Sequence, residues 1–479
     1  VATTAENQVA IGTASHTYTL AGISSAASQA AQTGTIQFVT ADADGNLAVT
    51  AMGGGAADVS GSSASGTDSS AYGQGSTASG NESVAVGDSS TASADGAVAV
   101  GNGSSAISEG AVAIGQGATA NGSTAVGAGA TANGANTAAY GANAQATAAN
   151  ASALGENSVA SAMNATAVGN AAIASNTSTT AIGERAEATG LAASAFGWDT
   201  TASGERATAV GHLAVATGVR SVSMGEAATA NGEQSVAIGN VASATGIDAM
   251  AIGTEAVANG NSTTTVGGES QASGPGATAY GWRSVAGAER STALGHLAQA
   301  TGVRSVAVGE AAVASADRAV AVGDQASATF INSVAIGAGA TTTRANQVVI
   351  GTGSSTYTTP GITSAASRAA QSGPTEVVTS DANGNLATDG GVMWNAVQQY
   401  GREIEENRRG VAMAMAIKAP YVPVNQRFAL SVGVGSFEKQ EAAALSGAIR
   451  ANDKVQFDFA IGSGGGSTAG GRIGFTTSW

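Results

Sequence analysis

The sequence has no cysteine, which excludes disulfides, thiolate metal sites and cysteine nucleophiles. Charge is scarce as well: only 11% of the 479 residues are Asp, Glu, Lys or Arg, and residues 1–184 hold no Lys or Arg. With a net charge of −15 and no basic surface over that stretch, nothing there can track a phosphate backbone, and nucleic acid is not expected as a partner. Four Trp, seven Tyr and eight Phe are few for this length, and much of the 43% hydrophobic fraction is Ala, so the core is expected to be slender. No run approaches the roughly 18 apolar residues of a membrane-spanning helix. The chain opens at Val1 without a charged or apolar leader, so any export signal is expected to have been removed or to lie outside this sequence.

Glycine, by contrast, is abundant. There are 69, without the three-residue period of a collagen helix. A tetrapeptide ending in Gly recurs instead, as in Val84-Ala85-Val86-Gly87, Val98-Ala99-Val100-Gly101 and Val236-Ala237-Ile238-Gly239. Its Gly falls at 73, 87, 101, 115, 127 and then every 14 residues to 351, the step from Gly115 to Gly127 being 12. Alternation before each Gly predicts a short strand, and a weaker alternation after it predicts a second. Two strands of three to five residues with Gly, Asn and Ser turns make one coil of a β-solenoid, in which residues 14 apart stack. At a strand spacing of about 4.8 Å, the array predicts a rod of roughly 95 Å.

A longer duplication displaces Asn7-Gln8-Val9-Ala10-Ile11-Gly12 to Asn346-Gln347-Val348-Val349-Ile350-Gly351, and Asp44-Gly45-Asn46-Leu47-Ala48 to Asn383-Gly384-Asn385-Leu386-Ala387. Since the second copy closes the solenoid, the first is expected to close another upstream of Val1, in a longer protein. Residues 1–51 are therefore read as the end of a preceding module, 52–70 as a Gly/Ser/Ala-rich connector, 71–351 as the solenoid and 352–388 as a neck-like segment.

Composition changes after Asp389, beyond which lie all three Lys and nine aromatics. Over 389–419 a heptad places Met393, Tyr400, Asn407 and Ala414 on one seam position and Val397, Ile404 and Val411 on the other, predicting a short parallel coiled coil ended by Pro420 and Pro423. Four amphipathic strands are expected over 420–479. Phe428, Leu430, Val432 and Val434 share one face of the first, Phe457 and Phe459 one face of the third, and Phe475 and Trp479 one face of the last. Large residues outward and small or polar residues inward form the pattern of an outer-membrane barrel. Four strands cannot close, and open edges are not tolerated in lipid, so three chains are expected to pool 12 strands around three helices.

No catalytic set emerges: there are three His (His16, His212, His296), no nucleophile-elbow motif and no clustered carboxylates, so no enzyme activity, metal or cofactor is expected. One patch is distinctive. The position after the signature Gly carries Trp198, His212 and Glu226 on successive coils, and 84 residues later Trp282, His296 and Glu310. It reads either as a twice-presented ligand patch or as a duplicated packing edge between protomers, the second being favoured.

Residues 71–351 resemble the head repeat of the YadA-like trimeric autotransporter adhesins, and Glu406-Asn407-Arg408-Arg409-Gly410-Val411-Ala412-Met413-Ala414-Met415-Ala416 with the strands to Trp479 resembles their membrane anchor. The resemblance implies a mainly β homotrimer: a left-handed parallel β-roll head, a short coiled coil and a 12-stranded barrel in the outer membrane of a Gram-negative cell. It further implies export through the chain's own barrel and non-enzymatic attachment to host matrix, cells or surfaces. Asn407 is then a core layer able to hold an anion, and Trp479 a terminal signal for the barrel assembly machinery. A trimeric fibre of the phage tail type, without membrane insertion, is the competing reading.

Overall fold

The computed structural model describes residues 25–32, 37–41, 47–51, 55–57, 61–372, 375–466 and 468–479. It separates into two compact units, Val1–Thr352 and Gly353–Trp479. Residues 7–12, 16 and 44–46, which carry part of the first duplicated module and His16, lie outside the described residues.

In the first unit a typical coil gives one three-residue and one two-residue strand, such as Val84–Val86 and Thr91–Ala92. Equivalent strands pair in parallel one coil apart, Val84 with Val98 and Thr91 with Ser105, so two ladders form. The short coil keeps register, Val112 pairing with Thr124 and Thr119 with Thr131. The ladders also reach upstream of residue 71: residues 55–57 pair with 69–71, and Ser63–Ala64 with Thr77–Ala78. The expected connector thus already carries strands. The sequence pattern loses the array there because Val59 stands where the signature Gly would fall.

The strands are shorter than expected because the turns hold residues in the left-handed backbone region, such as Asn143 (φ 56°) and Asn150 (φ 60°). Asn tolerates this region better than most side chains. Its amide also reaches the next coil: Asn136 donates to Asn150 (3.2 Å) and Asn150 to Asn164 (3.0 Å).

Alternation decides what lies inside. The middle residue of the three-residue strand points inward and is nearly always Ala, as at Ala85, Ala99 and Ala113, all fully buried. A second inward Ala comes from the two-residue strand, as at Ala92, and two more small residues flank the turns, as at Ser83 and Ser90. At Ser83 and Ser90 the hydroxyl donates to the carbonyl three residues back, Gly80 (2.6 Å) and Gly87 (2.8 Å), which offsets its desolvation, whereas Ser76, Ser221 and Ser305 at equivalent positions are small enough to be buried without such a bond. The larger residues face outward. Tyr140, Leu154 and Ile182 stand in a row of exposed apolar side chains next to the signature Gly.

The duplication is structural as well as sequential. Ser25 caps helix Ala26–Ala30 and Ser364 caps Ala365–Ala369, each accepting from the N–H three residues on. Two antiparallel hairpins follow in the same register, Val39 opposite Val49 and Val378 opposite Thr388.

In the second unit the hairpin leads to a helix, Val392–Ala416. Asp389 accepts from the N–H groups of Met393 (2.7 Å), Gly391 (3.0 Å) and Val377 (3.1 Å). These donors, Met393 first, hold its carboxyl below the usual carboxylate range, and the charge favours the helix N-terminus. Four antiparallel strands follow in sequential order: Phe428–Phe437, Gln440–Asn452, Val455–Ser463 and Ala469–Thr477. The first and last have no neighbour on their outer edges among the described residues.

The helix lies on the small-residue face of this sheet. Ala412 and Ala416 are buried against it, and a Cβ added to Gly433 or Gly435 would overlap the carbonyl oxygens of Ala416 or Ala412. Met413 fills the space above Gly462 and Gly470. No helix among the described residues is long and apolar enough to cross a membrane, which says nothing of crossing by strands.

Candidate functional site

Two side-chain stacks occupy the turn that follows the three-residue strand, six coils apart. Because residues 14 apart are in register, the position after each signature Gly falls directly over its counterpart on the next coil. In the first stack the rings of Trp198 and His212 lie 4.7 Å apart at 22°, with the Arg185 guanidinium 4.4 Å from the indole centroid. His212 Nδ1 is 3.5 Å from Glu226 Oε1. In the second, Trp282 and His296 lie 4.9 Å apart at 15°, the Arg283 guanidinium is 4.3 Å from the indole, and His296 Nδ1 is 3.2 Å from Glu310.

The order is therefore Arg, Trp, His, Glu in both stacks, although the arginines come from different coils. Arg185 belongs to the coil before Trp198 and donates through Nη2 to Asp199 (3.1 Å). That hydrogen bond is the main reason its pKa is raised. Arg283 shares the coil of Trp282 and donates to Glu269 (2.6 Å) on the coil before, which also accepts from the indole Nε1 (3.2 Å). Acid and base have exchanged places between equivalent positions, and the guanidinium still covers the ring. The sequence reading missed Arg185, Asp199, Glu269 and Arg283. Their signal was opposite charge at a spacing of 14.

The geometry limits what these indoles can do. Each imidazole comes from the coil after its indole, whereas Arg185 comes from the coil before and Arg283 reaches back to Glu269 of the coil before, so imidazole and guanidinium approach Trp198 and Trp282 from opposite sides and both faces are engaged. Trp198 is 38% exposed and Trp282 41%. The flanking pairs Glu205-Arg206 and Glu289-Arg290, with Arg304, sit in the other turn of the coil, the one that leads into the three-residue strand. They pair there among themselves, Arg290 with Glu289 at 3.5 Å and Arg304 with Glu289 at 4.0 Å.

In the second unit the predicted outward set stands together. Phe428, Leu430, Val432, Val434, Phe457, Phe459 and Phe475 are exposed on the face away from the helix, joined by Ile461 and Ile473. Opposite them Ala444, Ser446, Ala448, Asp458 and Ala460 are buried. Asp458 meets Arg472 of the last strand at 3.6 Å, the one ion pair on this inner face that joins two strands among the described residues. Trp479 lies past the end of the last strand and is fully exposed, while Ser478 N–H still donates to Lys454 O (2.8 Å). On the helix, Met393, Val397, Tyr400, Ile404, Asn407 and Val411 are exposed. The heptad seam thus points away from the sheet that Ala412 and Ala416 touch.

Comparisons with known proteins follow this division. The YadA head domain repeat matches residues 60–104, 106–123, 146–172, 174–214, 216–242, 244–284 and 286–354, and the YadA-like membrane anchor domain matches 420–479. Among solved structures, the chain is similar to the crystal structure of the collagen-binding domain of Yersinia adhesin YadA, with 22% identity over 44% of this chain and 85% of that one. The TM-score is 0.18, so this likeness carries no argument. No curated protein matches. An anchor domain for the outer membrane removes the alternative of a fibre without membrane insertion, and neither matched domain is catalytic. The head repeat spans more than half of the chain and the anchor ends it, so the chain belongs to the YadA-like adhesins, held in the outer membrane by its C-terminal sheet with the head exposed.

Proposed function

We propose that the chain is one third of a homotrimer whose four strands per subunit pool into a 12-stranded barrel, through which each head is exported before its helix fills the lumen. The observation that carries this is the C-terminal sheet: a large apolar face outward, a helix on the small inner face and two edges without a neighbour among the described residues. Unpaired N–H and C=O groups in hydrocarbon cost several kcal/mol each, so the edges need partners, and identical chains can supply them by joining first strand to last. The free heptad seam of the helix suits two further helices, with Asn407 as the polar layer that sets register. On the head, the row formed by Tyr140, Leu154, Ile182 and their equivalents suits the same partners.

The exposed head then serves attachment to host matrix, other cells or surfaces, and Trp479 is the terminal aromatic read by the barrel assembly machinery. The purified chain in mild detergent is expected to migrate as a trimer on gels unless boiled. A monomer at every temperature would remove the barrel reading. Arrays of glycans and matrix proteins probed with the head test attachment. Binding to none of them, with unchanged cell attachment after head deletion, would remove that reading.

The two Arg–Trp–His–Glu stacks we read as braces along the coil edge rather than as a platform for a stacking ligand, because both indole faces are already covered. Replacing Trp198 and Trp282 together by Ala is expected to lower the melting temperature of the head, by about 2–4 °C for each kcal/mol lost, while adhesion per folded head stays unchanged. Adhesion lost at an unchanged melting temperature would make the stacks a ligand site.

A further inference from the structure

Between the helix and the first strand, the connector Pro420-Tyr421-Val422-Pro423 crosses one end of the sheet without a ladder to join. Val422 is fully buried, and it is the largest side chain among the fully buried residues. Two prolines leave this stretch only the N–H groups of Tyr421 and Val422, and a buried backbone group needs a partner. Two side chains of the sheet supply the partners. Gln456, itself only 9% exposed, accepts from Val422 N–H through Oε1 (3.0 Å) and donates through Nε2 to Pro420 O (2.9 Å). Arg450 donates to Val422 O through Nε (2.9 Å) and through Nη2, and through Nη1 to Asp453 O (3.1 Å). Its guanidinium also sits 5.5 Å from the centre of the Tyr421 ring.

Arg450 and Gln456 face each other across the second and third strands. They form one rung, at the sheet end where those strands turn. A single rung therefore grips the connector by an N–H and two carbonyls. Nothing in the sequence marked either residue, since each reads as an ordinary polar side chain on a strand.

We propose that Gln456 and Arg450 are a latch that retains the helix in the barrel lumen after export: positioning residues for closure of the pore, not for assembly or translocation. This rests on the reading of the C-terminal unit as a trimeric barrel plugged by its helices. During passage of the head the connector has to be free of the sheet. Once the helix has entered, the rung captures Pro420 and Val422, and the plug can no longer slide along the lumen. The inner face offers the helix mostly Gly and Ala, and the directional contacts of the helix itself lie at the other end of the sheet, Arg408 with Glu438 (2.8 Å) and Arg409 donating to Gln440 (3.2 Å), so at the connector end the rung supplies the hold.

The test uses the full chain. Gln456→Leu keeps the bulk of the side chain and removes both hydrogen bonds, and Arg450→Met does the same for the second grip. Trimer that resists unboiled electrophoresis and head exposed to added protease are measured beside the conductance of the purified trimer in planar bilayers. The latch predicts trimer and surface head within about twofold of the parent, with the open fraction of the pore rising at least tenfold. Gln456→Glu, which keeps the acceptor and loses the donor, is expected to lie between the two.

Closed pores in both variants with normal display would overturn the proposal. So would loss of trimer heat resistance with no rise in conductance, since that marks fold residues rather than a latch. Should Gln456→Leu fail to assemble, Gln456→Glu decides, because its assembled trimer either leaks or does not. A parent chain that never forms a trimer would instead refute the barrel reading, an outcome separate from any difference between variants.

Discussion

Gly435→Val is expected to abolish the heat-resistant trimer and, with it, display of the head. Gly433 and Gly435 lie on the inner face of the first C-terminal strand, opposite Val432 and Val434. A Cβ at Gly435 would fall inside the van der Waals contact of the Ala412 carbonyl oxygen and 2.7 Å from Ala416 N; at Gly433 it would overlap the Ala416 carbonyl. These are backbone atoms, so no rotamer change relieves the clash and the helix must move off the sheet. Forcing extra atoms into a close-packed core costs about 1–3 kcal/mol, and in a trimer the cost is repeated in every subunit, within a lumen that three helices share. Gly435→Ala is expected to be intermediate. Val432→Ile, which enlarges the outward face, is expected to leave trimer and display unchanged. Parent levels of unboiled trimer for Gly435→Val would show that the helix does not occupy the position described.

The second large effect belongs to the signature glycines of the head. Gly141 has φ 130°, a backbone region that side-chain-bearing residues rarely adopt, and an added Cβ would stand 2.5 Å from Gly155 O and 2.6 Å from Gly155 C of the next coil. Strained backbone costs about 1–3 kcal/mol and the overlap a similar amount, so Gly141→Ala is expected to destabilise the purified head by about 2–5 kcal/mol in thermal or denaturant unfolding. A solenoid is held coil to coil, so the damage should stay local. Limited proteolysis is expected to cut first within residues 127–169, leaving distant coils intact. Ala144→Ser provides the control. In the next coil Ser158 occupies the equivalent buried position and donates to Gly155 O (2.8 Å), so a hydroxyl is already accommodated there. A head carrying Gly141→Ala that melts like the parent would mean that the coils are not stacked at the separation described.

Much of this architecture can be read in the chain itself. A constant spacing of 14 with one 12-residue step sets the number of coils, because only residues in register can stack into ladders. Alternation along Phe428–Val434 and Val455–Ile461 divides the C-terminal sheet into an outer and an inner face. The heptad of Met393 to Val411 foretells that one side of the helix stays free. Each of these is a periodic signal, and periodicity is what a linear sequence transmits well.

Other features came only from the folded chain. The tetrapeptide pattern could not say which members face inward. The coil interior has room for four small side chains, which puts Ala85 and its equivalents inside and leaves Tyr140, Leu154 and Ile182 outside, against the usual expectation for large apolar residues. The Trp198 and Trp282 ladders were visible as spacing. That both faces of each indole are covered depends on Arg185 and Arg283, which hold the same position in their coils but lie one coil before the indole in one stack and on its own coil in the other, and meet it only through the turn geometry. The grip of Gln456 and Arg450 on Val422 joins residues 28 and 34 positions apart with no shared period. Local pattern and repeat length were determined by the sequence. The direction of each side chain across a turn, and the pairing of groups that no period relates, were decided by tertiary structure, because they follow from where the backbone returns in space rather than from how far apart two residues lie along it.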